Sequence, residues 1–223
     1  SIKCHDRPKR ISKEPVMGRR NDHTREELQS LALRTAAEIV EADGPAALTM
    51  REVARRIGYT VGALYHGFTN LDDLTVRLNE RTVSELRLAL ENVNRQTNDS
   101  GQRLRMLAAA YLGFALLHTH RWRLVFEHRL PPGQEAPKSY RTHTAALFEL
   151  VEANLPASAC GRSGSEAPII ATALWSSVHG ICMLAVSGKL QVGTTASVQK
   201  LLDTLLDRFL VEHSAKPRVT RKR

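Results

Sequence analysis

The sequence is poor in cysteine, in strand-like alternation and in clustered catalytic groups. Its three cysteines, Cys4, Cys160 and Cys182, stand far apart and form no CxxC pair. A scattered, odd set suits a reducing, cytoplasmic setting better than a disulfide scaffold. No segment alternates apolar and polar residues with period two, which excludes a sheet-built fold. There is no Gly-rich phosphate loop, no nucleophile–base spacing and no carboxylate pair, so neither an enzyme nor a cofactor is expected. The opening SIKCHDRPKR is charged and lacks the apolar centre of a secretory signal. One long apolar run exists, residues 167–186. Pro168, Thr172, Ser176, Ser177 and His179 interrupt it, and a helix packed in protein tolerates these better than a membrane span does.

What is present is a foldable chain with basic ends. Hydrophobic residues make up 42% of 223, enough to fill a core and to exclude wholesale disorder. The formal charge is +9, and its placement matters more than its size. Residues 1–23 hold seven Lys/Arg against three Asp/Glu, and residues 214–223 hold five Lys/Arg and no acid. The body between is therefore neutral on balance. A neutral body with basic arms points to polyanion contacts, and plain solubilising tails are the competing reading. Met17, opening MGRRNDHTREEL, reads as an alternative start.

Periodicity is helical nearly throughout. Leu28, Leu31, Ala32, Thr35, Ala36, Ile39 and Val40 build one helix face, opened by a Thr24/Glu27 capping box and closed by Gly44-Pro45. A second box, Thr49/Glu52, opens a short helix to Ile57, and Thr60 caps a third reaching about His66. Asn70 opens a long helix to about Arg95. Further helices are expected over about 100–118, 121–130, 140–155, 167–187 and 196–213. The expected fold is all-α, with an arm over 1–23, a head over 24–70, a larger helical domain over 71–213 and a tail over 214–223.

The strongest signal is LTMREVARRIGYTVGALYHGF. Two short helices crossing tightly need a small residue at the crossing, and Ala54 supplies it. The turn needs a residue that tolerates positive φ, and Gly58 stands four positions on. Val53, Ile57, Val61 and Leu64 fall where packing onto the first helix demands. This is a helix-turn-helix, whose second helix presents its N-terminal residues to a DNA major groove. Thr60, Gly62, Ala63, Tyr65 and His66 are expected on that outward side, with Ala63 suited to a thymine methyl and Tyr65 to a phosphate. Thr49 and Arg51, at the start of the preceding helix, are expected against the phosphate backbone. Arg55 and Arg56 are weaker candidates. A helical hairpin that merely packs is the bland alternative.

These residues resemble the TetR family of bacterial regulators, from about Thr24 to Leu78, through TAAEIVEADGPAALTMREVARRIGYTVGALYHGF and the NLDDL that follows. The resemblance implies an all-α homodimer. Its three-helix head binds palindromic double-stranded operator DNA, and its larger domain binds a small-molecule effector that releases it, most members being repressors. Further on, AAYLGFALLHTHRWRLVF is similar to a helix pair that often follows such a head. ALWSSVHGICML resembles the WHG-type effector domain at Trp175, His179 and Gly180. Two positions depart from the family pattern. Gly67 stands where a histidine is common, and Leu71 where a lysine commonly meets a phosphate.

Pockets between helices are mostly apolar with a few polar groups. Tyr111, Phe114, His118, Trp122, Phe126, Phe148, Trp175 and His179 are the expected effector-pocket residues, with His143 and Ser176 as further polar candidates; ordinary core is the bland reading of each aromatic. His118-x-His120 with His128 suggests a metal, but side chains two positions apart on a helix diverge and no carboxylate cluster joins them, so none is expected. The stripe Val198, Leu201, Leu202, Leu205, Leu206, Phe209 and Leu210 is wide enough to serve both a core and a partner. With Ala173, Ser177 and Gly180 it points to a four-helix homodimer interface.

Overall fold

A computed structural model describes residues 24–157 and 165–214. The basic arm over 1–23, residues 158–164 with Cys160, and all but the first residue of the basic tail lie outside these residues. The described chain is helical: α1 (Arg25–Asp43), α2 (Met50–Ile57), α3 (Val61–Tyr65), α4 (Leu71–Asn94), α5 (Ser100–Leu117), α6 (Thr119–Glu127), α7 (Lys138–Glu152), α8 (Ala167–Val186) and α9 (Val198–Ser214).

Local chemistry sets the boundaries of the first helices. The Thr24 hydroxyl accepts from the Glu27 N–H at 3.3 Å, and the Glu27 carboxylate accepts from the Thr24 N–H at 2.7 Å. Gly58 ends α2 in the left-handed region at φ 74°, as the turn requires. Thr60 and Asn70 cap α3 and α4. The second capping box is only half made. Thr49 accepts from the Glu52 N–H at 3.0 Å, but the Glu52 carboxylate turns away to Arg55 and Arg56. Hydrogen bonds from these two guanidiniums hold Glu52 well below its ordinary range, at about 2.

Two hydrophobic cores form, and α4 runs through both. The first gathers Ala32, Ala36, Ile39, Val53, Ala54, Leu64 and Phe68, and takes in Leu74 and Leu78 from α4 and Leu124 from α6. The second joins Val83, Leu86 and Leu90 of α4 to α5, α7, α8 and α9. The head's core therefore extends beyond residue 70. The chain breaks after Leu117, and α6 begins at Thr119 and stops at Glu127, earlier at both ends than periodicity suggests. The Trp122 N–H donates to the His118 carbonyl at 2.7 Å, which fixes the new start. Helix α7 likewise starts at Lys138 and stops at Glu152.

Candidate functional site

Recognition at the head depends on how α3 is held. Leu64 and Phe68 are buried and anchor it, with Val61 packed against the same core. Thr49, Arg51, Thr60, Gly62, Tyr65 and His66 are exposed, whereas Ala63 is half-buried. Ala63 shares a groove of about 290 Å3 with Arg25, Leu28 and His66, between the start of α1 and the end of α3. Arg51 stands exposed at the N-terminal turn of α2. Arg55 and Arg56 pair with Glu52, and Arg56 also reaches Asp43 at 2.6 Å. Leu71 is exposed in the first turn of α4.

A residue that belongs to no sequence motif fixes the end of this unit. Gln29 of α1 donates its Nε2–H to the Gly67 carbonyl at 2.8 Å. A Cβ at position 67 would lie 2.8 Å from Gln29 Cγ, so this contact requires a glycine.

In the larger domain, a cavity of about 220 Å3 opens among α4, α5, α6, α7 and α8. Six of the expected pocket residues line it: Tyr111, Phe114, Trp122, Phe126, Phe148 and Trp175. Thr82, Tyr140 and Thr144 join them, from helix faces whose inward direction depends on how α7 lies against α4. His143 and Ser176 are not on the wall, and Ser176 is exposed.

His179 sits behind that wall. Its ring stacks on Trp175 at 4.9 Å and 14°, and lies 4.3 Å from Phe126. Its Nδ1 is 2.7 Å from the Tyr111 hydroxyl. Burial pushes His179 down and Tyr111 up, so the imidazole is neutral and the phenol keeps its proton. The contact is therefore a hydrogen bond between two neutral groups. The Trp122 indole packs edge-on to Tyr111 and approaches its hydroxyl. Its Nε1–H nevertheless meets no acceptor with hydrogen-bond geometry, although the residue is 1% exposed. Cys182, also buried, has its thiol pushed up to about 12, which keeps it protonated and a poor nucleophile.

His118 lies elsewhere. It packs on Phe114 at 4.8 Å, but its Nδ1 accepts from Arg121 at 2.8 Å. Arg121 also donates to Glu41 of α1 at 3.0 Å and Glu85 of α4 at 2.8 Å. Burial pushes Glu85 up, but hydrogen bonds from Arg121 and Arg81 outweigh it and hold the carboxyl below its ordinary range. His120 donates to the Glu41 carbonyl at 3.0 Å, and His128 to Asp72 at 3.0 Å. The three histidines of the metal motif thus serve separate contacts between α6 and its neighbours. Among the described residues no three His, Cys, Asp or Glu side chains gather as a metal site. Helix α6 turns Trp122 and Phe126 toward the cavity, while His120, Arg121 and Leu124 hold the head.

Two family models match this architecture. Residues 32–78 match "Bacterial regulatory proteins, tetR family", and residues 104–209 match "Tetracyclin repressor-like, C-terminal domain". The chain belongs to the TetR family. It is a helix-turn-helix transcriptional regulator of that family, and Trp175, His179 and Gly180 fall within the second match. This TetR-family chain is 28% identical over 145 residues to the HTH-type transcriptional activator FasR of Mycolicibacterium smegmatis, covering 64% of this chain and 66% of that protein. It is 25% identical over 190 residues to the uncharacterized HTH-type transcriptional regulator Rv0681 of Mycobacterium tuberculosis, covering 84% and 76%. A solved structure of a protein of unknown function from Rhodococcus sp. RHA1 superposes with a TM-score of 0.71 at 26% identity, covering 86% of this chain and 97% of that one.

Proposed function

We propose that this TetR-family chain is a cytoplasmic homodimeric repressor that leaves a palindromic operator when a small molecule occupies the 220 Å3 cavity. The observation that carries this reading is the double engagement of α6. Trp122 and Phe126 stand on the cavity wall, and their neighbour Arg121 joins Glu41 of the head to Glu85 of α4. A ligand that favours one position of α6 biases where the head sits, and an equilibrium shifts only by such differential affinity. Thr49, Arg51, Thr60, Gly62, Ala63, Tyr65 and His66 are the residues we assign to DNA, phosphate contacts setting register and α3 reading bases.

Two observations support the dimer. Helix α8 is long and apolar enough to cross a membrane, yet Ala171, Leu174, Val178 and Cys182 fix one side of it in the core. Its other side leaves Ile169 and Leu184 exposed, and a Cβ on Gly180 would meet nothing within 4 Å. Gly180 therefore belongs with the open face rather than the cavity. A second copy covering this face and the α9 stripe would place two heads on a two-fold operator. The test is operator affinity of the purified protein with and without a ligand that raises its melting temperature.

Activation is the second reading, favoured by the name of the FasR relative. A promoter reporter in cells with and without the protein distinguishes the two signs.

A further inference from the structure

Positive charge is scarce in the head. Residues 24–78 hold six arginines, no lysine and eight carboxylates, so this unit is net negative. A polyanion binds such a surface best where cations stand apart from the acids. Three of the six arginines are engaged within the protein. Arg55 pairs with Glu52, Arg56 with Glu52 and Asp43, and Arg77 with Asp73. Arg25, Arg34 and Arg51 pair with no carboxylate among the described residues.

These three differ in where they point. Arg34 follows Arg25 on α1 by about two and a half turns, which puts the two on opposite sides of the helix. On its side Arg34 shares a cleft with Glu41, with Glu85 of α4 and with Arg121 of α6, at the junction with the larger domain. Arg51 opens α2 and is already assigned to the backbone. Arg25 stands on the wall of the groove of about 290 Å3 between the start of α1 and the end of α3. That groove continues the recognition face, since Ala63 and His66 line it too. Leu64 and Phe68, both buried, give it an apolar floor, and Arg25 and His66, both exposed, give it a polar rim. Glu27 turns its carboxylate back to the Thr24 N–H at 2.7 Å rather than pairing with Arg25. An apolar floor under a cationic rim matches a nucleic-acid backbone, whose deoxyribose is largely apolar and whose phosphate is an anion.

We propose that this groove seats one phosphodiester of the DNA backbone, held by the Arg25 guanidinium with the His66 imidazole beside it. DNA contact thereby extends beyond the helix-turn-helix to α1. The proposal rests on reading the head as the DNA-binding unit and adds a site outside α2 and α3. A backbone contact carries no base identity, so this one fixes the register of α3 and leaves the choice of sequence to it.

Salt titrations with a selected operator and with random DNA test it, on the full chain and on Arg25→Gln, Arg25→Lys and Arg34→Gln, with melting curves to check folding. Arg25→Gln should make the dependence of log affinity on log salt shallower by about one per subunit, a loss of about tenfold per subunit near ~0.1 M salt, for both DNAs alike. Arg25→Lys keeps the charge and should restore the slope. Arg34→Gln removes the same charge from the opposite side of α1 and should leave the slope unchanged. An uncharged methylphosphonate moved along the operator then locates the contact. At one linkage in each half-site it should weaken the wild type and not Arg25→Gln, whose side of the pair is already gone. Equal slope losses in Arg25→Gln and Arg34→Gln would mean long-range attraction without a seat, and would overturn the proposal. So would an unchanged slope in folded Arg25→Gln, or the same methylphosphonate pattern in wild type and variant. Random DNA alone gives the slope, which separates the two readings. A wild type that binds operator no better than random DNA, with the Arg25 effect intact, removes α3 as the reader and leaves the seat standing.

Discussion

Gln29 and Gly67 form a matched pair that ties the first helix to the end of the recognition helix. The glutamine amide donates to the Gly67 carbonyl at 2.8 Å, across a gap that a single added carbon would close to 2.8 Å from Gln29 Cγ. Gly67→Ala should therefore push Gln29 aside, destabilise the head by about 1–3 kcal/mol and weaken operator binding. Gln29→Ala removes the obstacle along with the hydrogen bond, costing about 1 kcal/mol by itself. The double variant should be more stable than the sum of the single losses predicts. A double-mutant cycle by chemical unfolding, with operator titrations alongside, measures that coupling; strict additivity would contradict the contact.

Much of this head was legible because its boundaries are local chemistry. The capping box at Thr24, the left-handed glycine at 58 and the caps at Thr60 and Asn70 each depend on neighbours within four residues. The Gln29–Gly67 contact spans 38 positions, and nothing in the local pattern marks it. The same distinction explains the cavity. Tyr111, Phe114 and Trp122 were readable as clustered aromatics beside a helix break. Tyr140 and Thr144 gain their place only from the packing of α7 on α4. His118 sits in the same aromatic run, yet the break after Leu117 turns it toward Arg121. Glu52 completes only the Thr49 half of its capping box because two arginines on its own helix compete for its carboxylate.

Arg121 should carry communication between cavity and head. Its side chain is nearly buried, but Glu41 and Glu85 are each about one-third exposed. Solvent screening lowers the expected cost of Arg121→Ala to about 1–3 kcal/mol, below that of breaking a fully buried pair. Glu41→Gln, a milder change, should keep the fold and reduce the ratio of operator affinities measured with and without ligand. An unchanged ratio in folded Glu41→Gln would mean that coupling runs through another contact.

His179 predicts a pH dependence. Burial lowers its folded value below the unfolded one, so the stability it contributes is fully present above the ordinary histidine value of about 6.5, starts to fall below it and is lost as pH falls through the lowered folded value. His179→Gln keeps an acceptor for the Tyr111 hydroxyl but cannot titrate. The fall in melting temperature between pH 8 and pH 5 should be smaller in the variant than in the wild type. Every other residue is the same in both proteins, so the difference isolates His179. Identical slopes would place this imidazole in contact with water.

Leu184, exposed on the open side of α8, tests the partner surface. Leu184→Glu buries an unpaired charge if a second copy covers that face, and otherwise changes little. Sedimentation should show a shift from dimer to monomer with the helical signal unchanged, and operator affinity should fall by about a hundredfold or more. A variant that remains fully dimeric would locate the interface elsewhere.

The most direct test of the account selects genomic DNA fragments with the purified full chain and then compares the best fragment with random DNA at one fixed salt concentration. The account predicts a specific-to-random affinity ratio of at least about a thousand. Gly62→Glu, on the exposed side of the recognition helix, should collapse that ratio toward one while leaving the fold intact. Arg51→Ala should weaken both DNAs alike and make the salt dependence shallower by about one unit per subunit. A wild-type ratio near one, or a Gly62→Glu variant that still discriminates, would contradict the assignment of α3 as the element that reads DNA.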